Sequence, residues 1–163
     1  MKAVVTGGAG FIGSHLCDHL VAQGHSVTVV DDLSTGSMAN LAQLGEHPRF
    51  TFVQGDILDR ELVEGLVAET DAVYHLAAAV GVYNIVDNPL RSLRINLHGT
   101  ENVVEAAVRH RVPYMVASTS EVYGKNDADG LTEDADRIYG PPTKSRWSYA
   151  AAKGPVSYTH LTL

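Results

Sequence analysis

The chain has 163 residues, a hydrophobic content of 45% and a formal net charge of −7, which together predict one folded domain with a substantial core. The negative charge argues against nucleic acid or an anionic membrane as a partner, and without a long apolar run or a signal peptide we expect a cytoplasmic protein. A single cysteine, Cys17, excludes an internal disulfide, and the eight histidines show no metal-ligand spacing, so we expect no metal.

A glycine cluster follows the first predicted strand, Ala3–Thr6, and precedes a predicted helix, Phe11–Gln23. Glycines let the backbone turn sharply there, and they leave no Cβ between the backbone and a bound pyrophosphate. The N-terminus of the helix adds N–H groups and a partial positive charge. The spacing fits both G-x-G-x-x-G and G-x-x-G-x-x-G, and it predicts a dinucleotide-binding turn built from Gly7, Gly8, Gly10 and Gly13.

An acidic pair, Asp31-Asp32, ends the second predicted strand, Ser26–Val30. Asp31 follows Gly13 at close to the roughly 20-residue offset of the carboxylate that binds a ribose 2′-OH in dinucleotide-binding folds. Because a carboxylate at that place repels a 2′-phosphate, the pattern favours NAD over NADP. The alternative is that both acids are solvated groups at the end of a strand.

Short apolar strands alternate with helices along the rest of the chain. The other predicted strands are Phe50–Val53, Ala72–His75 and Tyr114–Ser118, and the other predicted helices are Arg60–Val67, Pro89–Arg109 and one that begins near Ser148. This alternation predicts an α/β fold of the Rossmann type, a doubly wound parallel sheet with helices on both faces. Residues 126–136 are acidic and rich in turn formers, so we expect an exposed loop there.

Hydroxyl and acidic side chains follow the fifth predicted strand, at the end where open α/β sheets bind their ligands. The run is Ser118-Thr119-Ser120-Glu121. A hydroxyl there can orient a substrate alcohol, and Glu121 can serve as a second acid or base. The alternative for Thr119 and Ser120 is that they cap a turn.

Tyr149 and Lys153 stand four residues apart in the last predicted helix, on one face and one turn apart. A lysine ammonium beside a phenol favours the phenolate and lowers the pKa of the tyrosine. We therefore expect Tyr149 to have a lowered pKa and to act as a general acid/base near neutral pH. The alternative is an exposed helical pair without a function.

Several segments, in this order, resemble the extended short-chain dehydrogenase/reductase family, and within it the NAD-dependent nucleotide-sugar epimerases, dehydratases and UDP-glucuronate decarboxylases. The resemblance runs from Met1 to about Gly154, and its segments are Thr6–Gly13, Asp31–Ser34, Gly55–Ile57, His75–Ala78, Asn96, Ser118–Glu121 and Tyr149–Lys153. The run from Ser118 to Gly124 looks most like the decarboxylases. A glutamate there is also typical of dehydratases, whereas simple 4-epimerases usually carry small or hydroxyl residues.

The resemblance implies roles for individual residues. The catalytic groups would be Thr119, Glu121, Tyr149 and Lys153. The pyrophosphate of NAD would lie on Gly7, Gly10, Phe11 and Ile12, and its adenosine ribose on Asp31. The adenine would lie beside Asp56 and Ile57. Leu76, Ala77 and Ala78 would line the cleft that holds the cofactor. Tyr149 and Lys153 would also border the cofactor. A nucleotide-sugar, by preference a UDP-sugar, would be the substrate, and the parent enzyme would be a homodimer.

The implied reaction begins when Tyr149 takes the proton of the sugar 4-OH and the C4 hydride passes to NAD, while Thr119 hydrogen-bonds the 4-oxygen. From the 4-keto sugar, return of the hydride to the other face gives epimerisation. Removal of the C5 proton gives loss of water from C6, and a C6 carboxylate can leave as carbon dioxide. The resemblance favours decarboxylation. UDP-glucose 4-epimerase, a non-catalytic dinucleotide-binding fragment or sensor, and an NADP-dependent carbonyl reductase stay open as alternatives.

The end of the chain departs from the family pattern, in which a substrate lobe follows the cofactor-binding half. Gly154-Pro155 stands where an apolar helix would continue, and a proline inside a helix costs about 3 kcal/mol. We therefore expect residues 1–154 to form the NAD-binding domain, with the last helix cut after about one turn, and residues 155–163 to be a non-native or truncated tail. A natural short form is the alternative. We expect the isolated 163-residue chain to bind NAD weakly and to turn over no sugar nucleotide.

Overall fold

The computed structural model describes residues 1–81 and 88–158. Its strands are β1 (Lys2–Thr6), β2 (Ser26–Asp31), β3 (Phe50–Gln54), β4 (Ala72–His75) and β5 (Tyr114–Val116). Its helices are α1 (Phe11–Ala22), α2 (Arg60–Ala68), α3 (Pro89–Arg94), α4 (Thr100–His110) and α5 (Trp147–Val156), with 3-10 turns at Met38–Leu41 and Ser120–Tyr123 and a π-helical turn at Ile95–Gly99. None of the helices in this described part is long and apolar enough to cross a membrane.

These elements divide between two compact units. The first unit contains Met1–Ala77 and Gly99–Ala117, and it therefore holds all five strands together with α1, α2 and α4. The second unit contains Ala78–His98 and Ser118–Leu163, and it holds α3 and α5, which pack against each other.

The sheet of the first unit is entirely parallel, with the strand order β3-β2-β1-β4-β5. Val5 of β1 and Val29 of β2 are register partners and are completely buried in a core that includes Cys17 of α1. Burial raises the pKa of the Cys17 thiol to about 12, so this cysteine is a packing residue. The predicted doubly wound α/β fold is confirmed. In the sheet, β2 and β4 are the neighbours of β1 on its two opposite sides, so the strand order reverses at β1.

The single helix predicted over Pro89–Arg109 is wrong. The structure interrupts it with the π-helical turn Ile95–Gly99. The side-chain amide of Asn96 lies in this turn, where it accepts a hydrogen bond from the Ala79 N–H at 2.9 Å and donates one to the Ala79 carbonyl at 3.2 Å. A π turn occupies a single turn between two stretches that are each α-helical, so periodicity summed over the whole segment does not reveal it.

The fifth strand ends at Val116 and not at the predicted Ser118. Thr119 is the N-cap of the following 3-10 turn, and its hydroxyl accepts a hydrogen bond from the Glu121 N–H at 3.2 Å. The capping interpretation of Thr119 is thus confirmed, and it does not exclude a chemical role. Residues 126–136 form the expected loop, and most of their side chains are exposed.

The last helix continues past the proline that was expected to disrupt it. α5 includes Pro155 and ends at Val156, which is buried. Pro155 stands one residue before the helix end and lacks an N–H of its own, but the Ser157 N–H beyond it still donates to the Lys153 carbonyl at 3.2 Å. The predicted break after Lys153 is therefore wrong. Residues 159–163 of the predicted tail lie outside the described residues.

Candidate active site

The glycine loop between β1 and α1 contains three glycines that the fold requires and one that it does not. A Cβ on Gly7, whose φ is +72°, would lie 2.7 Å from the amide nitrogen of Ala77. A Cβ on Gly8 would lie 2.5 Å from a β2 valine, and one on Gly13 would overlap the carbonyl oxygen of Gly7. A Cβ on Gly10 would meet only that carbonyl, at 3.2 Å. Protein packing therefore constrains Gly10 less than the other three glycines, and a glycine at this position permits the close approach of a ligand.

The first helix begins directly after this loop without a side-chain cap. Gly10 is its N-cap and has no side chain that could accept the first amide hydrogens. The N–H groups and the positive end of the helix dipole attract an anion to such a place. Phe11 and Ile12 are 78% and 69% exposed, so the first turn does not contribute to the core. The loop therefore fits a pyrophosphate group.

Asp31 lies beside the glycine loop and is only 8% exposed. One carboxylate oxygen accepts the Ala9 N–H at 3.0 Å, and the other accepts the Leu33 N–H at 2.9 Å. These bonds connect the loop to the turn after β2, and they hold the carboxylate where a ribose diol binds in this fold class. Asp31 is therefore not a solvated acid. Asp32 is half-buried and accepts the Ser34 N–H at 2.9 Å.

The predicted adenine-side residues follow β3 and are firmly held. Asp56 accepts the Leu58 N–H at 2.9 Å. Ile57 is buried, its carbonyl accepts a hydrogen bond from the Asn102 side chain at 3.0 Å, and its Cδ1 lies 2.5 Å from where a Cβ on Gly99 would stand. The Ile57 side chain is thus a packing group of the first unit.

The turn after β4 carries the predicted cleft residues and is tied to β1. The Leu76 N–H donates to the Thr6 carbonyl at 3.1 Å, and the Ala77 N–H donates to the Thr6 hydroxyl oxygen at 3.1 Å. Leu76 packs against the core, and Ala77 is the neighbour of Gly7 described above. Ala78, the next predicted residue, is the first residue of the second unit.

Three predicted catalytic side chains interact in the second unit. Burial raises the pKa of Tyr149 above its ordinary value, the negative charge of Glu121 raises it further, and a hydrogen bond from the Thr119 side chain lowers it. The expectation of a lowered pKa for Tyr149 is therefore wrong, because burial and the neighbouring carboxylate outweigh the favourable hydrogen bond. Helical spacing places Lys153 on the same face as Tyr149, whereas Glu121 and Thr119 reach Tyr149 only through the fold.

Lys153 follows Tyr149 by one helical turn and is only 2% exposed. Burial lowers the pKa of its ammonium group, because the charged form loses its water. The same burial weakens the stabilisation of a phenolate that the Tyr149–Lys153 spacing predicts.

Two side chains that the sequence reasoning did not single out hold α5. Arg137 donates to the Gly154 carbonyl at 3.1 Å, and the Tyr139 hydroxyl donates to the Ala150 carbonyl at 3.2 Å. The Arg137 guanidinium also lies 4.9 Å from the ring centre of Tyr158. Both residues act on backbone carbonyls, for which a sequence carries no signal.

A cavity of about 230 Å³ lies in the first unit, near the amino ends of β1 and β2. It is lined in part by Lys2, Ser26, Thr28 and Glu69. It contains none of the predicted site residues, so the chemistry described above does not take place in it.

A family model described as GDP-mannose 4,6 dehydratase matches residues 4–161. The chain belongs to the NAD-dependent epimerase/dehydratase family of short-chain dehydrogenases/reductases. Among members of known sequence, it is 42% identical over 153 residues to the UDP-N-acetyl-alpha-D-glucosaminuronate decarboxylase of Bacillus cytotoxicus, a match that covers 93% of this chain and 46% of that protein.

Solved structures of this epimerase/dehydratase family have the same fold. A dTDP-glucose 4,6-dehydratase from Streptomyces venezuelae, solved with NAD bound, matches with a TM-score of 0.86 and 33% identity over 99% of this chain and 52% of that one. A UDP-N-acetylglucosamine 4-epimerase from Methanobrevibacter ruminantium, in complex with UDP-N-acetylmuramic acid, matches with a TM-score of 0.85 and 33% identity over 99% and 49%. The chain spans about half the length of these relatives.

Proposed function

We propose that this chain is the NAD-binding half of an enzyme that modifies the sugar of a nucleotide-sugar. Family membership supports this, as does the NAD bound to the Streptomyces venezuelae relative. In the chain itself the support is the glycine at position 10, the uncapped start of α1 and the neighbouring Asp31 carboxylate. These features suit the pyrophosphate and ribose of a dinucleotide, and the carboxylate disfavours the 2′-phosphate of NADP.

Bound NAD would supply the hydride acceptor of the reaction. The residues proposed to hold it are Gly7, Gly10, Phe11, Ile12, Asp31, Asp56, Ile57, Leu76, Ala77, Ala78, Tyr149 and Lys153. All but the last three belong to the first unit.

Tyr149 is the proposed acid/base group, which would take the proton of the sugar 4-OH as the C4 hydride leaves. The Thr119 side chain lowers the pKa of Tyr149 by hydrogen bonding, so it would stand close to the 4-oxygen when that oxygen approaches Tyr149. Lys153 would favour the phenolate whenever its amine is charged. Because the pKa of Tyr149 is raised, the base form must be produced by groups that arrive with the ligands.

The position of Glu121 near Tyr149 favours decarboxylation or dehydration over simple epimerisation. Its charge raises the pKa of Tyr149, so a second acid/base group stands near the first. Epimerisation needs no second group, because the hydride and the proton only return. Loss of water needs a base for the C5 proton, and loss of carbon dioxide leaves a carbanion at C5 that must be protonated. The match to a uronate decarboxylase favours the second reaction, on a UDP-sugar with a C6 carboxylate.

The cofactor proposal is tested by calorimetric titration of the protein with NAD and with NADP. We expect NAD to bind more tightly, because Asp31 repels a 2′-phosphate. Tighter binding of NADP would overturn the cofactor assignment, and binding of neither dinucleotide would overturn the proposed function as a whole.

The reaction class is tested on the whole protein that the gene encodes, from the mass of the products formed from UDP-glucuronate, dTDP-glucose and UDP-glucose. Loss of carbon dioxide supports the proposal, whereas loss of water or an isomer of unchanged mass assigns the protein to the dehydratases or epimerases. NAD binding with no product from any of these sugars would make the chain a dinucleotide-binding module.

Glu121→Gln is expected to abolish turnover and to leave NAD affinity unchanged, because it removes a proton donor without changing shape. Glu133→Gln, in the exposed loop, is the matched control and should change neither quantity. Undiminished product formation by Glu121→Gln would rule out the role proposed for Glu121.

A further inference from the structure

Two threonine hydroxyls flank the imidazole of His75 inside the first unit. Nδ1 of His75 lies 2.6 Å from Oγ1 of Thr6, and Nε2 lies 2.9 Å from Oγ1 of Thr100. His75 is 0% exposed, and the two threonines are 1% and 2% exposed. Both ring nitrogens are therefore hydrogen-bonded in the core to uncharged partners.

The amide of Ala77 decides where the protons of this network lie. It donates to Oγ1 of Thr6 at 3.1 Å, and an amide N–H can only donate. Among the contacts of the described residues, the hydroxyl proton of Thr6 then has Nδ1 of His75 as its acceptor. Nδ1 is thus unprotonated, and the neutral ring carries its proton on Nε2, from which it donates to Thr100.

A charged imidazole does not satisfy these contacts. It would present an N–H at both nitrogens. The two lone pairs of the Thr6 oxygen could accept both Nδ1–H and the Ala77 amide, but the hydroxyl proton of Thr6 would lose His75 as its acceptor. Leaving a buried donor unpaired is unfavourable, because it has lost its hydrogen bonds to water. The three contacts that join Ala77, Thr6, His75 and Thr100 are satisfied, with the Thr6 proton paired, for the neutral ring protonated on Nε2.

The network ends at the place where the proposed cofactor residues meet. The Ala77 nitrogen that donates to Thr6 is the atom that a Cβ on Gly7 would approach to 2.7 Å. β1 and β4 are neighbours in the sheet, and their carboxyl ends form the edge at which α/β sheets bind ligands. The direction of the Thr6 hydroxyl therefore helps to set how closely the two turns approach.

We propose that His75 is a positioning residue for the dinucleotide site. As the neutral ring protonated on Nε2, it turns the Thr6 hydroxyl so that its oxygen accepts the Ala77 amide, which holds the turn after β4 against the glycine loop. Apolar side chains could fill this part of the core and would leave no polar group to satisfy. A hydrogen-bonded polar network instead fixes the positions of the residues that it joins. This inference rests on the proposed binding of NAD.

The test compares three variants of the chain: Thr6→Val, Thr6→Ser and Thr100→Val. Both valine variants replace a buried hydroxyl that contacts His75, but only Thr6 also contacts Ala77. We expect Thr6→Val to weaken NAD binding about tenfold, and Thr6→Ser and Thr100→Val to weaken it less than about threefold. Both valine variants should lower the melting temperature, and Thr6→Val should lower it more, because it removes the hydrogen bonds to both His75 and Ala77 whereas Thr100→Val removes the one to His75.

A second readout needs no cofactor. The ¹⁵N shifts of the His75 ring, assigned by their loss in His75→Gln, should show a pyridine-type Nδ1 and a protonated Nε2. A protonated Nδ1, or equal loss of NAD affinity in Thr6→Val and Thr100→Val, overturns the inference. If the unaltered chain binds no NAD, the proposed function fails and the positioning role falls with it, whereas the other two results contradict the positioning role alone.

Discussion

The two units of the chain hold their predicted site residues by different means. In the first unit the site is formed mainly by the backbone. It consists of the glycine loop, the start of α1, and backbone N–H groups that donate hydrogen bonds to the side chains of Asp31 and Thr6. In the second unit side chains dominate, and burial with a neighbouring charge raises the pKa of Tyr149 and lowers that of Lys153. Backbone geometry is encoded by local sequence, whereas protonation depends on what the fold brings together. Changes in the first unit should therefore affect folding and cofactor affinity, and changes in the second should affect proton transfer.

The largest effect is expected from the contrast between Gly13→Ala and Gly10→Ala. A Cβ on Gly13 overlaps backbone atoms of the glycine loop, so we expect a loss of about 3 kcal/mol in the free energy of unfolding. At Gly10 the φ is −77° and an added Cβ would meet the Gly7 carbonyl oxygen at 3.2 Å, so the loss should be smaller, about 1 kcal/mol. Urea unfolding measures both, and calorimetry with NAD should show at least a roughly tenfold loss of affinity for Gly10→Ala.

Gly10→Ala is also the stricter test of the interpretation of the first unit. If this variant binds NAD as well as the unaltered chain does, NAD binding does not require a glycine at position 10. If it unfolds as readily as Gly13→Ala, the distinction between glycines kept for the fold and a glycine kept for the ligand is lost.

A smaller and purely electrostatic effect is expected in the second unit. Because the pKa of folded Tyr149 is raised above about 10, the ordinary value of the unfolded chain, the folded state holds a proton there that the unfolded state has lost. The free energy of unfolding should therefore fall as the pH rises from about 10 through the raised pKa. Glu121→Gln should lower the pKa of Tyr149, and Thr119→Val should raise it further.

NMR of ¹³Cζ-labelled tyrosine measures these titrations, with Tyr149→Phe assigning the signal. Glu133→Gln removes the same charge from the exposed loop and should leave the Tyr149 titration unchanged. A Tyr149 that titrates identically with and without Glu121 would show that the carboxylate is too far away to serve as its catalytic neighbour.

The features that sequence predicted correctly are those whose signals are local. The glycine loop, the strands and α2 follow from short-range patterns, and α2 also has an N-cap in Asp59, whose side chain accepts the Leu62 N–H. The features that were missed depend on distant partners. The π turn at Asn96 accompanies hydrogen bonds to the Ala79 backbone, and the raised pKa of Tyr149 depends on burial and on Glu121. Fold class is accordingly accessible from one sequence, while the electrostatics of the site are not.

The smallest effect is expected from the comparison of Gly65→Ala with Gly130→Ala, which changes one glycine in each unit. A Cβ on Gly65, in α2, or on Gly130, in the loop before α5, would meet no atom within 4 Å, so packing cannot distinguish them. Gly65 is an exposed position inside a helix, and Gly65→Ala should raise stability by about 0.5–1 kcal/mol, because glycine loses more backbone freedom on folding. Gly130 has a φ of +81°, where alanine is strained, so Gly130→Ala should lower stability by about 1 kcal/mol.

Thermal unfolding of the two variants should therefore show melting temperatures that shift in opposite directions from the same chemical change in equally open space. Shifts of the same sign would mean that the two backbones are not as different as their φ angles indicate. Because Gly65 and Gly130 belong to different units, the pair also tests cooperativity. If the units unfold together, both shifts appear in one transition, and if they unfold separately, each substitution moves only the transition of its own unit.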